Sequence, residues 1–202
     1  MIITSDWHIH SESSYDASLT LETIAENAKK CGVKKIGITD HLNYNDKSFI
    51  NDLKKSSESV KEFKKKDIDI ILGVELTPIG KPEFDYILKT GIRDGFIPPI
   101  TDDVYPIELA MTKEELISLG VRYAVGASHW RVDGPKAKEN SDNVDGCIKE
   151  WYRQQLWLAL DERVTILGHP WYNGKGLWYE DFSMIPRSMN MEIAAALLEN
   201  KK

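Results

Sequence analysis

The chain contains five histidines, and each follows a short apolar run. His8 and His10 come after residues 2–4, His41 after 33–39, His129 after 122–127 and His169 after 164–167. Glu75 holds the same position after the run 68–74, and Asp6 and Asp40 lie within two residues of a histidine. One histidine at a strand end is usually a hydrogen-bonded structural residue. Five in equivalent positions, joined by a glutamate, point to a shared site. The His8-x-His10 pair adds weight, because alternate residues of a strand face the same way and can present two imidazoles to one ion. Neutral imidazoles mixed with carboxylates suit zinc, manganese or iron better than magnesium or calcium. The donors outnumber what one ion can use, which implies more than one divalent ion, able together to activate water and clamp substrate oxygens.

The elements that must position these groups alternate between apolar runs and helical patterns. Residues 21–30 carry Leu21, Ile24, Ala25 and Ala28 at helical spacing, with Thr20 placed to cap and Gly32 to stop the helix. Residues 49–66 are rich in Lys and Glu over a sparse stripe of Leu53, Val60 and Phe63, which predicts a solvent-facing helix. The spacing predicts a short strand at 84–88, an irregular excursion over 91–111 and a helix at 112–119 opened by a Thr-x-x-Glu capping box. Residues 144–160 form a long amphipathic pattern, and a last helix is expected near 188–200. Continuous apolar strands alternating with helices predict a parallel sheet with covered faces. In a barrel of such strands the C-terminal ends form one face, where scattered residues converge.

The 202 residues favour a single domain, and 42% hydrophobic content is enough for a core. The formal net charge of −6 argues against extended nucleic acid as the main partner. A small phosphorylated substrate is compatible with it, since bound ions supply positive charge locally. Cys31 and Cys147 form no CxxC and are expected to be reduced thiols. No apolar stretch approaches the roughly 20 residues needed to cross a bilayer. The N-terminus lacks the basic and apolar segments of a signal peptide, so the expected address is the cytoplasm.

The segments Asp6-Trp7-His8-Ile9-His10 with Asp16 after them, Ile38-Thr39-Asp40-His41, Gly73-Val74-Glu75, Ser128-His129 and Gly168-His169-Pro170 span almost the whole chain. In order and rough spacing this set resembles the polymerase-and-histidinol-phosphatase (PHP) superfamily of metal-dependent phosphoesterases. The resemblance implies a distorted (β/α)7 TIM-like barrel, usually with three metals. It implies that His8 and His10 hold one ion, that Glu75 bridges to a second completed by His129 and His169, and that Asp16 and His41 hold a third. It further implies hydrolysis of a small phosphomonoester by a metal-activated hydroxide, with histidinol phosphate one candidate. Glu75, Asp40 and Arg131 are the catalytic candidates. Asp40, like Asp6, would orient a neighbouring imidazole, and Arg131, ahead of Arg187, would bind phosphate bidentately. Trp130, Trp171, Tyr172 and Trp178 follow the ligand segments and would either wall a pocket or pack in the core.

One departure stands out. The family pattern ends in an Asp-x-His on a final strand, and this sequence has no histidine after His169. The expectation is a barrel lacking that strand, with the first and third metals each short of one ligand and self-association through the open edge. Two other readings compete: an amidohydrolase-type enzyme, disfavoured by Glu75 in the bridging place, and a non-catalytic metal-binding or regulatory module.

Overall fold

The pleat of each strand sends alternate side chains to opposite faces, and that alternation organises the protein. The computed structural model describes residues 3–63, 67–172 and 182–202. The chain runs β1 (Ser5–Ile9), α1 (Leu21–Lys30), β2 (Lys35–Ile38), β3 (His41–Leu42), α2 (Lys47–Glu62), β4 (Asp69–Leu76), β5 (Ile79–Gly80) and α3 (Lys81–Thr90). It continues β6 (Ile107–Glu108), α4 (Lys113–Ser118), β7 (Tyr123–Gly126), α5 (Pro135–Asn140), α6 (Val144–Leu160), β8 (Ile166–Leu167), a 3-10 turn (Phe182–Met184) and α7 (Arg187–Glu199). The main sheet is parallel, in the order β1-β2-β4-β7-β8, with β3 pairing the upper half of β4. β5 and β6 form a separate antiparallel pair.

Ile36, Ile38, Leu72, Val74, Leu76 and Ala124 point outward and are buried against Leu21, Ile24 and Ala25 of α1, Leu53 of α2, Leu116 of α4 and Leu158 of α6. A further cluster joins Ile148, Trp151 and Ala159 of α6 to Ile193 and Ala196 of α7. The opposite face is concave. The end strands β1 and β8 each have one strand partner among the described residues, yet the rings of His8 and His169 stack with centroids 5.5 Å apart. The sheet therefore curls until its two edges meet at the C-terminal end.

A bulge in β1 aims the first histidine. Asp6 pairs with Ile36 and Ile9 with Ile38, so three steps along β1 match two along β2. Trp7 and His8 both turn to the concave face, while Asp6 and Ile9 stay on the helix side, where they line a cleft with α1. Tyr123 forms the floor. Its ring crosses the concave face from β7, meets Trp7 edge-on at 5.5 Å, and its hydroxyl donates to the Trp7 carbonyl at 2.8 Å. The crossing requires glycine twice: a Cβ on Gly37 would sit 1.6 Å from the Tyr123 hydroxyl, and one on Gly73 would sit 2.5 Å from Cζ. Burial pushes the Tyr123 pKa up, and nearby Asp6 adds to the shift. Below this ring, toward the strand N-termini, lies a cavity of about 730 Å3 lined by Ile71, Thr165 and Ile166 among others. The histidines lie at the other end of the strands.

The sequence-based element boundaries hold closely for α1, α4, α6 and α7, whereas α2 starts two residues before the expected 49 and ends at Glu62, and residues 64–66 of that expected helix lie outside the described residues. Thr20 and the Thr112–Glu115 capping box act as expected. The short strand expected at 84–88 is instead part of helix α3. Its alternating apolar residues imitate a strand, but Pro82 in the first turn and Gly91 at φ +77° as C-cap give the segment a helix start and stop, which decide the outcome. Among the described residues no helix is long and apolar enough to cross a membrane.

Gly37→Ala is expected to lower stability by about 3 kcal/mol, because the new methyl cannot coexist with the Tyr123 ring. Combining it with Tyr123→Leu should cost clearly less than the sum of the two single changes, read by denaturant titration. Additive costs would show that the ring and the glycine do not share the same space.

Candidate metal centre

Glu75 is 0% exposed, at the end of central strand β4, and five imidazole nitrogens surround its carboxylate. His8 Nε2, His10 Nε2 and His41 Nδ1 lie 3.2, 3.2 and 3.1 Å from Oε2. His129 Nε2 and His169 Nε2 lie 3.2 and 3.0 Å from Oε1. Burial alone would raise the Glu75 pKa. The surrounding imidazoles of His10, His129, His169 and His8 outweigh it and hold the carboxyl well below the usual carboxylate range. Burial likewise works against protonation of His10, but the neighbouring Glu75 carboxylate raises its pKa. At His41 burial prevails, aided by His10 and His129, and the pKa is lowered toward a neutral ring.

Asp16 completes the cluster on the loop after β1. Its Oδ2 lies 3.2 Å from His41 Nε2, and its Oδ1 accepts from the Ser14 hydroxyl at 2.7 Å. Burial opposes its ionisation, yet Ser14, His41 and His10 lower its pKa. Three donor groups result: His8, His10 and Glu75; His10, Asp16 and His41; His41, Glu75 and His129. His169 approaches from β8 on a strained turn, with φ +22° at His169 and +69° at Trp171. Trp171 is buried in the core, and its ring N–H donates to Asn190 Oδ1 at 2.8 Å.

The donor set fits divalent transition metals. His8 Nε2, His41 Nδ1 and Glu75 Oε2 are buried and have no hydrogen-bond partner, although the two nitrogens lie 3.2 and 3.1 Å from that oxygen. One carboxylate cannot satisfy five imidazoles, whereas cations set between the nitrogens and oxygens would. His8, His10, His41, Glu75, His129, His169, Asp16, Tyr15, Trp130 and Tyr172 line a cavity of about 530 Å3.

The structure thus brings together all seven expected metal-binding residues. Asp40 has a different task. It is buried and accepts from the Ser11 N–H at 2.6 Å and the Ser11 hydroxyl at 2.7 Å. It ties the loop after His10 to the break between β2 and β3 and contacts no imidazole through a hydrogen bond. Asp6 accepts from the His8 backbone N–H at 3.2 Å, not from a ring. Arg131 does not reach the cavity. Its guanidinium pairs with buried Asp133 and donates to Ser141 and Cys147, so no donor is left for a phosphate. Arg187 opens α7, and Trp178 lies outside the described residues. Sequence reasoning missed Tyr15, whose ring stacks on His41 at 5.1 Å, and Thr77, which bonds His129. Thr77 lies two residues past Glu75, just beyond the end of β4, and continuing the strand's period-2 alternation by one residue could have found it.

Glu75→Ala should strip tightly bound metal from the purified chain, measured by elemental analysis. Glu83→Ala and Glu115→Ala should not, since one pairs with Arg93 and the other caps α4. Equal loss in all three would remove Glu75 from the centre. Arg131→Met should cost about 3–5 kcal/mol by stranding buried Asp133, with metal content unchanged. A stable variant with impaired phosphate binding would return Arg131 to the site.

Comparison with known proteins agrees with this arrangement. The PHP domain family model matches residues 6–183. Among solved structures, a histidinol phosphate phosphatase from Lactococcus lactis subsp. lactis Il1403, complexed with zinc, L-histidinol and phosphate, aligns at a TM-score of 0.56. That alignment has 15% identity and covers 98% of this chain and 71% of the other, a likeness of fold. No curated protein sequence matches. A curled parallel sheet with histidines and one glutamate gathered at its C-terminal rim, together with a family match over nearly the whole chain, places this protein in the PHP domain family.

Proposed function

We propose that the chain hydrolyses small phosphomonoesters with two to three divalent transition metal ions held at the C-terminal rim of the sheet. The observation that carries this reading is the buried Glu75 carboxylate, with imidazoles gathered on each of its oxygens. In this reading His8 and His10 would hold one ion with Glu75, His129 and His169 would hold another with the same carboxylate, and Asp16 and His41 would hold a third. The ions supply Lewis acidity and an acidified water when bound.

The chain's own groups do the rest. Glu75 stays ionised at the centre and fixes the spacing of the imidazoles around it. Ser14 holds Asp16 in place and ionised. Tyr15, Trp130 and Tyr172 wall the cavity and limit water around a bound ester. None of the described residues lining the cavity is Lys or Arg, so among them the phosphate charge is left to the ions. The solved relative holds L-histidinol and phosphate, which makes histidinol phosphate one member of the substrate class to try. The distorted (β/α)7 barrel usual in the family is the fold we infer.

The test is phosphate release from a panel of phosphomonoesters, histidinol phosphate included, by the chain loaded with manganese or zinc. Turnover should appear with at least one ester and fall roughly 100-fold or more in His129→Ala. Tight metal binding with no phosphate release from any ester would leave a metal-binding module in place of a phosphatase.

A further inference from the structure

Four of the five imidazoles leave their protonation state open. His10 and His169 have Nδ1 buried without a partner, both ring nitrogens of His41 face carboxylates, and the partly exposed His8 directs Nε2 at Glu75. His129 differs. Its Nε2 faces Glu75 Oε1, and its Nδ1 lies 2.8 Å from the hydroxyl of Thr77. Thr77 is 0% exposed, and Asn43 beside it is also buried. The Thr77 hydroxyl donates to Asn43 Oδ1 at 2.6 Å, and Asn43 Nδ2 donates to the Tyr15 hydroxyl at 3.4 Å.

A hydroxyl has one proton. Because Thr77 gives its proton to Asn43, only its lone pairs face His129, and Nδ1 must be the nitrogen that carries hydrogen. We propose that Thr77 and Asn43 are positioning residues that lock His129 in the Nδ1–H tautomer and so keep the Nε2 lone pair turned toward Glu75 and a metal. The reversed chain of bonds, with Asn43 donating to Thr77 and Thr77 to Nδ1, would put the proton on Nε2. That proton would face Glu75 and block the ligand position. Neither residue is itself part of the cavity lining; Thr77 acts through His129, and Asn43 through Thr77. The proposal extends the metal-hydrolase reading, but its first test does not depend on that reading.

That test is 15N–1H correlation NMR of imidazoles in the full chain after chelator treatment, at alkaline pH. Nδ1 should be the protonated nitrogen. Asn43→Asp, which offers only acceptors, should leave that tautomer unchanged, whereas under the reversed chain it would switch the proton from Nε2 to Nδ1. Protonated Nε2 in the wild type, or a switch in Asn43→Asp, overturns the proposal.

The second test is zinc affinity, with circular dichroism to confirm folding. Thr77→Val should weaken zinc binding about 10–100-fold, and Thr77→Ser should stay within about threefold of wild type. A folded Thr77→Val variant with wild-type zinc affinity also overturns the proposal. Should Thr77→Val not fold, the wild-type tautomer and the Asn43→Asp comparison decide. A chain that shows the Nδ1–H tautomer and binds no zinc would sink the hydrolase reading and keep the relay.

Discussion

An ionised carboxylate withdrawn from water costs several kcal/mol unless cations or hydrogen-bond donors replace its hydration. Glu75 is withdrawn completely, and much of the architecture serves to surround it. Its donors come from four separate stretches of chain that meet only where parallel strands end together. The sheet must therefore curl far enough for β8 to bring His169 beside His8, and β1 must bulge so that His8 turns inward. The break between β2 and β3 belongs to the same solution. There Asp40 leaves the ladder to hold Ser11, which anchors the loop carrying Tyr15 and Asp16.

The centre rests on an apolar floor made by one ring. Tyr123 spans the concave face, and glycines at 37 and 73 yield the space it occupies. Its hydroxyl is satisfied by the Trp7 carbonyl, so the ring brings no unpaired polar group into the interior. Outside the sheet the helices carry the hydrophobic burial that holds the strands in register. Arg131 belongs to that supporting structure, tying Asp133 to Ser141 and Cys147 beside α6.

Most of the centre was legible in the sequence because strand ends recur in a simple pattern: an apolar run, then a histidine or glutamate. Six candidate donors could be named that way and Asp16 from the family resemblance, and all seven line one cavity. What could not be read were groups whose role depends on a partner far along the chain. Arg131 looks like a phosphate clamp until Asp133 and Ser141 are seen to use its donors. Asp40 stands next to a histidine in sequence, but its nearest partner in space is Ser11. Thr77 is one threonine among many until it lies against His129. At the fold level, the alternation of apolar runs with helices gave the parallel sheet. The segment 84–88 was misread because five apolar-rich residues fit either period, and the punctuation flanking them settled the matter.

His41 carries a consequence for stoichiometry. Its Nδ1 faces Glu75 and its Nε2 faces Asp16, so it belongs at once to two donor groups. A neutral imidazole owns a single lone pair. It can complete the group with Asp16 and His10, or the group with Glu75 and His129, but not both unless it loses its second proton. A cation on one side of the ring would set the proton on the other, so the two donor groups could not both draw on His41 as a neutral ligand.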